Sequence, residues 1–500
     1  MLPPPPFCVP TPGCPKNPRP GPFNFGETQI DICRCFLYNE TDVQPDEFGG
    51  KNMDDFTVIN SRRYLIGLTW PIFVELVLQM LVSNVDQMMV ARTSSTAVAA
   101  IGNANIITNL LLISFSVIST AATILITQYL GAGSTQRVSQ TYTVALLMNF
   151  ALSLVICVAL TGFSQQIFSL MGVPAELMPE SCDYLQIIGL GMPLQAIHLT
   201  FVAFFRAHGL TRQTMVISLA MNLLNIVGNF ILINGLGLVP MLGVAGAAIS
   251  SVLSRLVGMG IVIWLFHRHV GQAFLLSNLR PFPWDHLKRL LRIGIPSGGE
   301  SVSYNLTQIV IQTMCNTLPI FVITARAYCN MFAMLSYIYA NAIAQATQIV
   351  VGYLMGARRT EETDRRVNAT LRGAMLVSFS ISLLLFLFCR PLFGLFTQDP
   401  QVLDTCKLIM GIEIILELGR AANICLFGAL RTAGDLKFPL CLNVCTVWTV
   451  AVGGGWLLGI HFGLGLPGLW AAMAFDECFR GVVSFFRWRS GKWRQKHLID

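Results

Sequence analysis

The stretches LTWPIFVELV (residues 68–77) and IGIPSGGESV (residues 293–302) have the same unusual design. In each, a proline interrupts an apolar run, and a glutamate follows four residues later. The two prolines, Pro71 and Pro296, are 225 residues apart, and the two glutamates keep the same spacing. A proline lets an apolar helix bend, and a charge inside such a helix is unfavourable in a membrane. Their joint recurrence at one offset predicts an internal repeat.

The same offset recurs far from these two stretches. GAG at Gly131 corresponds to GAR at Gly356, FSLMG at Phe168 to FGLFT at Phe393, Arg206 to Arg431, and Arg255 to Arg480. Unrelated helices would not keep one offset along six spans, so we expect two copies of a six-helix unit. Because six is even, both copies enter the membrane in the same direction. The repeat is therefore parallel, with an axis along the membrane normal, as in many transporters.

The composition predicts an all-α integral membrane protein. The 500 residues are 54% hydrophobic and 12% charged, whereas soluble domains are about a quarter charged. Long continuous apolar runs favour helices over the alternating strands of a barrel. We predict twelve transmembrane helices in two six-helix lobes. The spans are roughly 62–91, 97–130, 138–162, 179–206, 213–235, 243–267, 288–318, 322–355, 366–389, 401–430, 435–460 and 466–488.

The distribution of lysine and arginine predicts the orientation. Twenty-two of them fall at the span ends and loops assigned to one side, and four fall on the other: Arg92, Arg326, Arg390 and Lys407. By the positive-inside rule, both termini are cytoplasmic, in a multi-pass protein of the plasma (inner) membrane. The net charge of +7 then reflects topology, and no nucleic-acid partner is needed to explain it.

These observations divide the chain into five regions. They are a proline-rich disordered cytoplasmic tail (1–58), a first six-helix lobe (59–268), a cytoplasmic inter-lobe loop (269–287), a second six-helix lobe (288–488) and a basic cytoplasmic tail (489–500). Of the fourteen cysteines, ten lie in or beside apolar runs, where cysteine acts as a small hydrophobe. The other four, Cys8, Cys14, Cys33 and Cys35, fit no zinc spacing. We therefore predict no bound metal.

Several further motifs carry a resemblance to a known family. They are LTWPIFVELVLQMLVSNVDQMMVAR, LLNIVGNFILI, GVAGAAISSV, IGIPSGGES and LRTAGD, together with ELGRAAN and GLWAAMAFDE. In their order and spacing they resemble the multidrug and toxic compound extrusion (MATE) transporters, and most of all the bacterial DinF-like branch. The resemblance covers about residues 60–488. It implies two six-helix lobes in a V, and efflux of organic, often cationic, compounds driven by inward flow of sodium ions or protons.

The resemblance also implies an ion-coupling site in the first lobe. Asp86 matches the family's first-helix aspartate, and Asn225 and Asn229 share one helix face with Asn222. Ser250 matches a hydroxyl position of the same network. Some family members have a second aspartate where this chain has Asn229, so this chain offers a sodium ion fewer negative charges. Alternatively, Asp86 caps a neighbouring helix or lies near the outer mouth, and the amides form ordinary interhelical hydrogen bonds.

Glu75 and Glu300 are candidates for binding a substrate or a proton. Each lies one turn beyond its helix proline, on roughly the same face, and could point into a cavity between the lobes. The alternative is structural: Arg255 and Arg480 occupy equivalent places in the last helix of each half. They could neutralise the glutamates as Glu75–Arg255 and Glu300–Arg480 pairs, although Asp476 could also pair with Arg480 one turn away.

A charged cluster on the tenth span is specific to the second half. Glu413, Glu417, Arg420 and Asn423 follow helical spacing. In another branch of the family an aspartate on this helix binds the coupling ion. The matching position here is Arg420, so that site does not carry over, and Glu417 is the candidate to replace it. The alternative is a structural Glu417–Arg420 pair.

Our leading hypothesis is a secondary antiporter that exports amphipathic, cationic organic compounds in exchange for Na+ or H+. We expect it to act as a monomer in the bilayer, without a cofactor and without enzymatic activity. The sequence has no nucleotide-binding loop, zinc motif or nucleophile elbow. A flippase for lipid-linked precursors is the first alternative, and a membrane-embedded enzyme or receptor the second. A net acidic cavity would favour cation efflux, and a net basic cavity the flippase.

Overall fold

The computed structural model describes residues 53–91, 95–235, 240–270, 282–496 and 498–499. These residues form helices joined by short connections, and no strand occurs among them. The first half contains α1 (Met53–Ile59), α2 (Arg62–Ala91), α3 (Ser95–Gly131), α4 (Thr135–Gly162), α5 (Ser164–Leu170), α6 (Met178–Leu190), α7 (Met192–Ala207), α8 (Thr211–Asn234) and α9 (Gly243–His269).

The second half repeats this order. It contains α10 (Trp284–Cys315), α11 (Ile320–Gly356), α12 (Thr360–Leu387), α13 (Cys389–Phe393), α14 (Pro400–Thr432), α15 (Lys437–Thr446) with π-helical turns at Val447–Gly454 and Trp456–His461, α16 (Gly465–Arg489) and a 3-10 turn at Lys492–Gln495. The short helices α5 and α13 were not predicted. They occupy equivalent places in the two halves, at the FSLMG and FGLFT motifs.

The predicted architecture of twelve membrane spans is confirmed. Eight helical segments of the described chain are long and apolar enough to cross a membrane, and α6 with α7 forms a ninth span, bent by 48°. The other three spans are α10, α14 and α16, with 32, 33 and 25 residues. Their length exceeds the roughly 20 residues that a bilayer requires. They are less apolar because they carry most of the charged residues discussed below.

The structure corrects some predicted boundaries. The predicted span 179–206 is two helices, because Pro193 near the start of α7 has no backbone N–H to continue the α6 hydrogen-bond pattern. The predicted tail 1–58 is wrong in its last residues, since α1 begins at Met53. Its Phe56 ring packs under the Arg359 guanidinium, 4.4 Å from the ring centroid. The predicted loop 269–287 is too long, since α10 begins at Trp284. Residues 1–52, including the four tail cysteines, lie outside the described residues.

The two lobes pack through equivalent helices. The second helix of the first lobe, α3, packs against α10 and α11, and α11 packs in turn against α2. An apolar cluster joins α2 to α11; its buried members include Leu65, Leu68, Ile72, Ala346, Ile349 and Val350. These residues come from the first half of α2 and the second half of α11. The lobes therefore meet at one end of the molecule.

Two glycines bring the lobes closest together at this end. A Cβ on Gly131 would collide with the backbone carbonyl of Tyr353, and a Cβ on Gly356 would collide with that of Gln128. The two contacts are equivalent, since Gln128 and Tyr353 are also 225 residues apart. Gln128 Nε2 donates to the carbonyl of Thr432 at 2.6 Å. We call the end that these contacts seal the closed end.

The C-terminal residues bind to the same end. Lys496 Nζ lies 2.6 Å from the Asp435 carboxylate. Arg289 on α10 donates to the carbonyl of Leu498 at 2.7 Å, and Arg137 on α4 donates to that of Ile499 at 3.0 Å. We call residues 492–496 and 498–499 the C-terminal clasp. Because Arg137 belongs to the first lobe and Arg289 to the second, the clasp bridges both.

Candidate functional site

A cavity of about 890 Å³ lies between the lobes. The first lobe supplies most of its lining, and α10, α11 and α14 of the second lobe supply the rest. Its charged lining residues are Glu75, Asp86, Arg206, Arg255 and Arg431. Many of the other lining residues are asparagine, glutamine, serine or threonine, so the cavity suits a polar or amphipathic ligand better than a purely apolar one.

The predicted ion-coupling residues come together on one wall of this cavity. Asn229 on α8 donates to Asp86 Oδ1 on α2 at 2.7 Å. Turned so that its nitrogen faces Asp86, the orientation that satisfies both of its ends, the Asn225 amide donates to both carboxylate oxygens at 3.2 Å and accepts from Ser251 Oγ at 3.2 Å. No basic side chain of the described residues forms an ion pair with Asp86. Its charge is held by two neutral amides and faces the cavity.

Ser250 contacts Asn225, a member of the predicted network, but not the Asp86 carboxylate itself. It is buried, and its Oγ donates to the backbone carbonyl of Asn225 at 2.9 Å. It therefore positions α8 without contacting the carboxylate. The neighbouring Ser251 lines the cavity instead. Sequence reasoning missed Ser251 because two adjacent serines offer no means of deciding which faces inward until the rotation of α9 is known.

Glu75 forms a pair that differs from the predicted one. Its carboxylate lies 2.9 Å from Arg206, and it accepts hydrogen bonds from the hydroxyls of Thr214 and Ser218, each at 3.2 Å. The predicted alternative Glu75–Arg255 pair is wrong, because the side chain that contacts the Glu75 carboxylate is Arg206, at the end of α7. Glu75 nevertheless lines the cavity, so it is both paired and close to any ligand.

Glu300 follows the same pattern in the second lobe. Its carboxylate lies 3.7 Å from Arg431, the residue that corresponds to Arg206 in the repeat. The predicted alternative Glu300–Arg480 pair is wrong, because Arg480 lies 2.6 Å from Asp476 and 2.8 Å from Glu477 on its own helix. The repeat thus preserves a glutamate–arginine pair, but the arginine stands at the end of the fourth span and not in the sixth.

A buried charge cluster fills the second lobe behind the cavity. Its charged members are Glu413, Glu417, Arg420, Asp476, Glu477 and Arg480, all buried. Arg420 pairs closely with Glu417 and lies 3.5 Å from Glu413. The Arg420 guanidinium lies 6.0 Å from the ring centroid of Tyr337, which lines the cavity. Neither Glu417 nor Arg420 lines the cavity, but Arg420 contacts a residue that does.

This cluster contains more carboxylates than arginines. Four acidic side chains face two basic ones, and an uncompensated buried charge is strongly unfavourable. The excess must be neutralised by protons or by small cations. Among the described residues, no group of three or more His, Cys, Asp or Glu side chains has the arrangement of a metal site.

The charges that line the cavity nearly cancel. Glu75 is neutralised by Arg206, and Arg431 by Glu300. Among the described lining residues this leaves Asp86 and Arg255. The cavity is therefore neither net acidic nor net basic, and its charge alone does not separate cation efflux from lipid transport.

Comparisons with known proteins agree with this architecture. The MatE family model matches the chain twice, at residues 71–231 and 296–457, and the two matches begin at the two helix prolines. The chain is 36% identical over 434 residues to the uncharacterized transporter YisQ of Bacillus subtilis (strain 168). The aligned region covers 87% of this chain and 95% of that protein. The chain is 28% identical over 446 residues to the probable multidrug resistance protein NorM of Thermotoga maritima, covering 88% and 94%.

Solved structures show the same fold. A MOP superfamily transporter from Pyrococcus furiosus superposes with a TM-score of 0.79 at 19% identity, over 88% of this chain and 98% of that one. An outward-facing multidrug resistance MATE family transporter superposes with a TM-score of 0.80 at 19% identity, over 90% and 100%. At such low identity these matches establish the arrangement of helices and not the ligand.

Proposed function

Because this chain belongs to the MATE family of transporters, we propose that it is a secondary active antiporter that exports organic compounds in exchange for Na+ or H+. The observation that carries this proposal is the Asp86 site. A carboxylate with only amide partners faces the cavity that a substrate would occupy. An inward-moving cation or proton and an amphipathic cationic substrate can both neutralise it.

Coupling follows if ion and substrate favour different states of the same cavity. A ligand shifts a conformational equilibrium only by its difference in affinity for the two states. Binding of an ion at Asp86 would remove the charge that holds a cationic substrate and so favour its release. Protons or cations in the second-lobe cluster around Glu417 and Arg420 would add a second point of coupling, transmitted to the cavity through Tyr337.

The orientation follows from the basic side chains. Arg137, Arg289 and Lys496 all lie at the closed end. By the positive-inside rule, these residues support a cytoplasmic position for that end. The cavity then opens to the outside, the state in which an exporter releases its substrate. We propose a monomer in the plasma membrane with both termini cytoplasmic and no bound cofactor.

A lipid-linked precursor flippase has less support. Such a transporter needs a strongly cationic cavity, with Arg255, Arg420 and Arg480 free to line it. Arg420 and Arg480 are instead paired with carboxylates inside the second lobe. Of these three arginines, Arg255 is the one that lines the cavity.

The test is ethidium efflux from proteoliposomes with a sodium or a proton gradient imposed separately. We expect one of the gradients to drive efflux in the wild-type protein and to fail in Asp86→Asn. The matched control is Asp404→Asn, the same substitution at an exposed carboxylate that pairs with Arg390, and it should keep wild-type efflux. Absence of gradient-driven efflux, or full efflux by Asp86→Asn, would contradict the proposed mechanism.

A further inference from the structure

Arg255 is a charged residue for which the fold supplies no counter-charge. It lies in the middle of α9 and lines the cavity. Its Nη1 is buried and has no hydrogen-bond acceptor among the described residues. No described carboxylate forms an ion pair with it. Arg255 is half-buried, and its buried guanidinium nitrogen lacks an anionic partner, so a ligand that supplies an oxyanion would gain a charge-assisted hydrogen bond there.

A second donor without a partner lines the same cavity. The Asn222 Nδ2 atom on α8 is buried and has no acceptor among the described residues. A guanidinium and an amide nitrogen can only donate hydrogen bonds. Two such donors call for an acceptor with several lone pairs, and a carboxylate or phosphate provides these.

The equivalent arginine of the second lobe does have acidic partners. Arg480, the equivalent residue, lies 2.6 Å from Asp476 and 2.8 Å from Glu477. The residues at the same offset in the first half are Ser251 and Val252. The first lobe thus keeps the arginine but has neither of the carboxylates. In the second lobe the arginine is buried and structural, whereas in the first lobe it faces open space.

We infer that Arg255 and Asn222 form an oxyanion-binding subsite, and that the exported compound is an amphipathic zwitterion with a carboxylate as well as a cationic group. This inference rests on the proposed export function and narrows its substrate class. Arg255 and Asp86 line one cavity on the same lobe. One molecule with two opposite charges can therefore satisfy both residues together.

The test uses two dyes that differ only in one carboxyl group. Rhodamine B is a zwitterion with a free carboxylate, and its methyl ester is a cation without one. Binding of each to purified protein in uncharged detergent is measured by fluorescence anisotropy, with no gradient present. We expect the wild-type protein to prefer the acid by at least about tenfold, the effect of one charge-assisted hydrogen bond. Arg255→Gln should lose this preference, and Arg255→Lys should keep part of it.

The matched control is Arg390→Gln, at an exposed arginine outside the cavity, and it should retain the preference for the acid. Failure of the acid to bind, equal binding of acid and ester, or a preference that survives in Arg255→Gln would overturn the inference. In a second arm, phosphatidylglycerol is added. A dependence on Arg255 that appears only for this lipid would assign the oxyanion to a headgroup and overturn the assignment to the substrate.

Thermal unfolding provides a measurement that needs no ligand. If Arg255 lacks a structural partner, Arg255→Gln should unfold at the same temperature as the wild-type protein or higher. Arg480→Gln should unfold at a clearly lower temperature, because it leaves two buried carboxylates without their arginine. Equal destabilisation by both substitutions would show a structural role for Arg255 and contradict the subsite. Because neither measurement uses a gradient, both are independent of the efflux experiment that tests antiport.

Discussion

The Glu75 carboxylate lies 2.9 Å from the Arg206 guanidinium, which also donates to Gln345 of the other lobe at 2.7 Å. This chain of contacts connects α2 and α7 of the first lobe to α11 of the second. Its equivalent, Glu300 with Arg431, is longer at 3.7 Å. Both halves thus contain the same glutamate–arginine ion pair, and it is shorter in the first half.

We predict that Glu75→Gln destabilises the protein by about 3–5 kcal/mol, the usual loss when one partner of a buried ion pair is removed. Glu300→Gln should destabilise the protein by only on the order of 1 kcal/mol, because its ion pair is longer and its carboxylate is more exposed. Thermal unfolding in detergent measures both variants. An equal loss in the two variants would contradict the difference in pair strength.

We predict that the closed end opens when its glycines are enlarged. In Gly131→Val and Gly356→Val the new side chain would collide with the carbonyl of Tyr353 or of Gln128. Hydrogen exchange should rise by at least about tenfold in peptides that contain these two residues, since local opening controls exchange. Gly373→Val is the control, because a Cβ there meets open space. Unchanged exchange in both variants would show that these contacts do not hold the lobes together.

We predict that the C-terminal clasp depends on Asp435. Burial raises the pKa of this carboxyl, but hydrogen bonds from Arg487 and Lys496 outweigh that effect and hold the pKa below its usual value. A carboxyl with a lowered pKa stabilises the folded form fully above its unfolded pKa of about 3.9. The stabilisation is lost only as the pH falls through the lower folded value. The clasp of the wild-type protein should therefore stay bound between about pH 5 and pH 8.

Asp435→Asn should release the clasp at neutral pH. Trypsin cleavage after Arg494 and Lys496 measures this, and we expect cleavage at least about tenfold faster than in the wild-type protein. Asp404→Asn, at an exposed carboxylate outside the clasp, is the control. Cleavage at the wild-type rate in Asp435→Asn would show that the carbonyl contacts of Leu498 and Ile499 hold the clasp without this carboxylate.

We predict an asymmetry in the second-lobe cluster, because its carboxylates outnumber its arginines. Arg420→Gln removes a scarce positive charge and should destabilise the protein by about 3–5 kcal/mol. Glu413→Gln removes an excess negative charge, and its amide oxygen can still accept from Trp470, now at 2.5 Å. Glu413→Gln should therefore destabilise the protein by less than about 1 kcal/mol. Thermal unfolding separates the two, and a larger loss for Glu413→Gln would contradict the excess of negative charge.

The arrangement of helices could be predicted because it depends on features that local sequence records. Apolar runs and one repeated offset located the twelve spans, and helical spacing placed Asn225 and Asn229 on one face. The bend at Pro193 could also have been read from the sequence, since a proline there removes a helix hydrogen bond.

The pairing of charges could not be predicted in the same way. Arg206 and Arg255 are both basic, both repeated and both on helices of the first lobe, and only their three-dimensional positions decide which one reaches Glu75. For Arg480 a local clue existed in Asp476, one turn away, and the sequence did indicate that competition. The first half offered no such clue for Arg255, because the corresponding residues are uncharged.

The reciprocal contacts at the closed end have a consequence for the history of the chain. Each half supplies one glycine and one backbone carbonyl to these contacts. Gly131 packs against the carbonyl of Tyr353, and Gly356 packs against the carbonyl of Gln128. After a duplication, two copies are usually free to diverge. At Gly131 and Gly356 a larger side chain in one copy would displace the backbone of the other, so neither glycine can change independently of the opposite half. At other equivalent positions the two copies differ: Ser251 lines the cavity, whereas Asp476 pairs with Arg480 inside the second lobe.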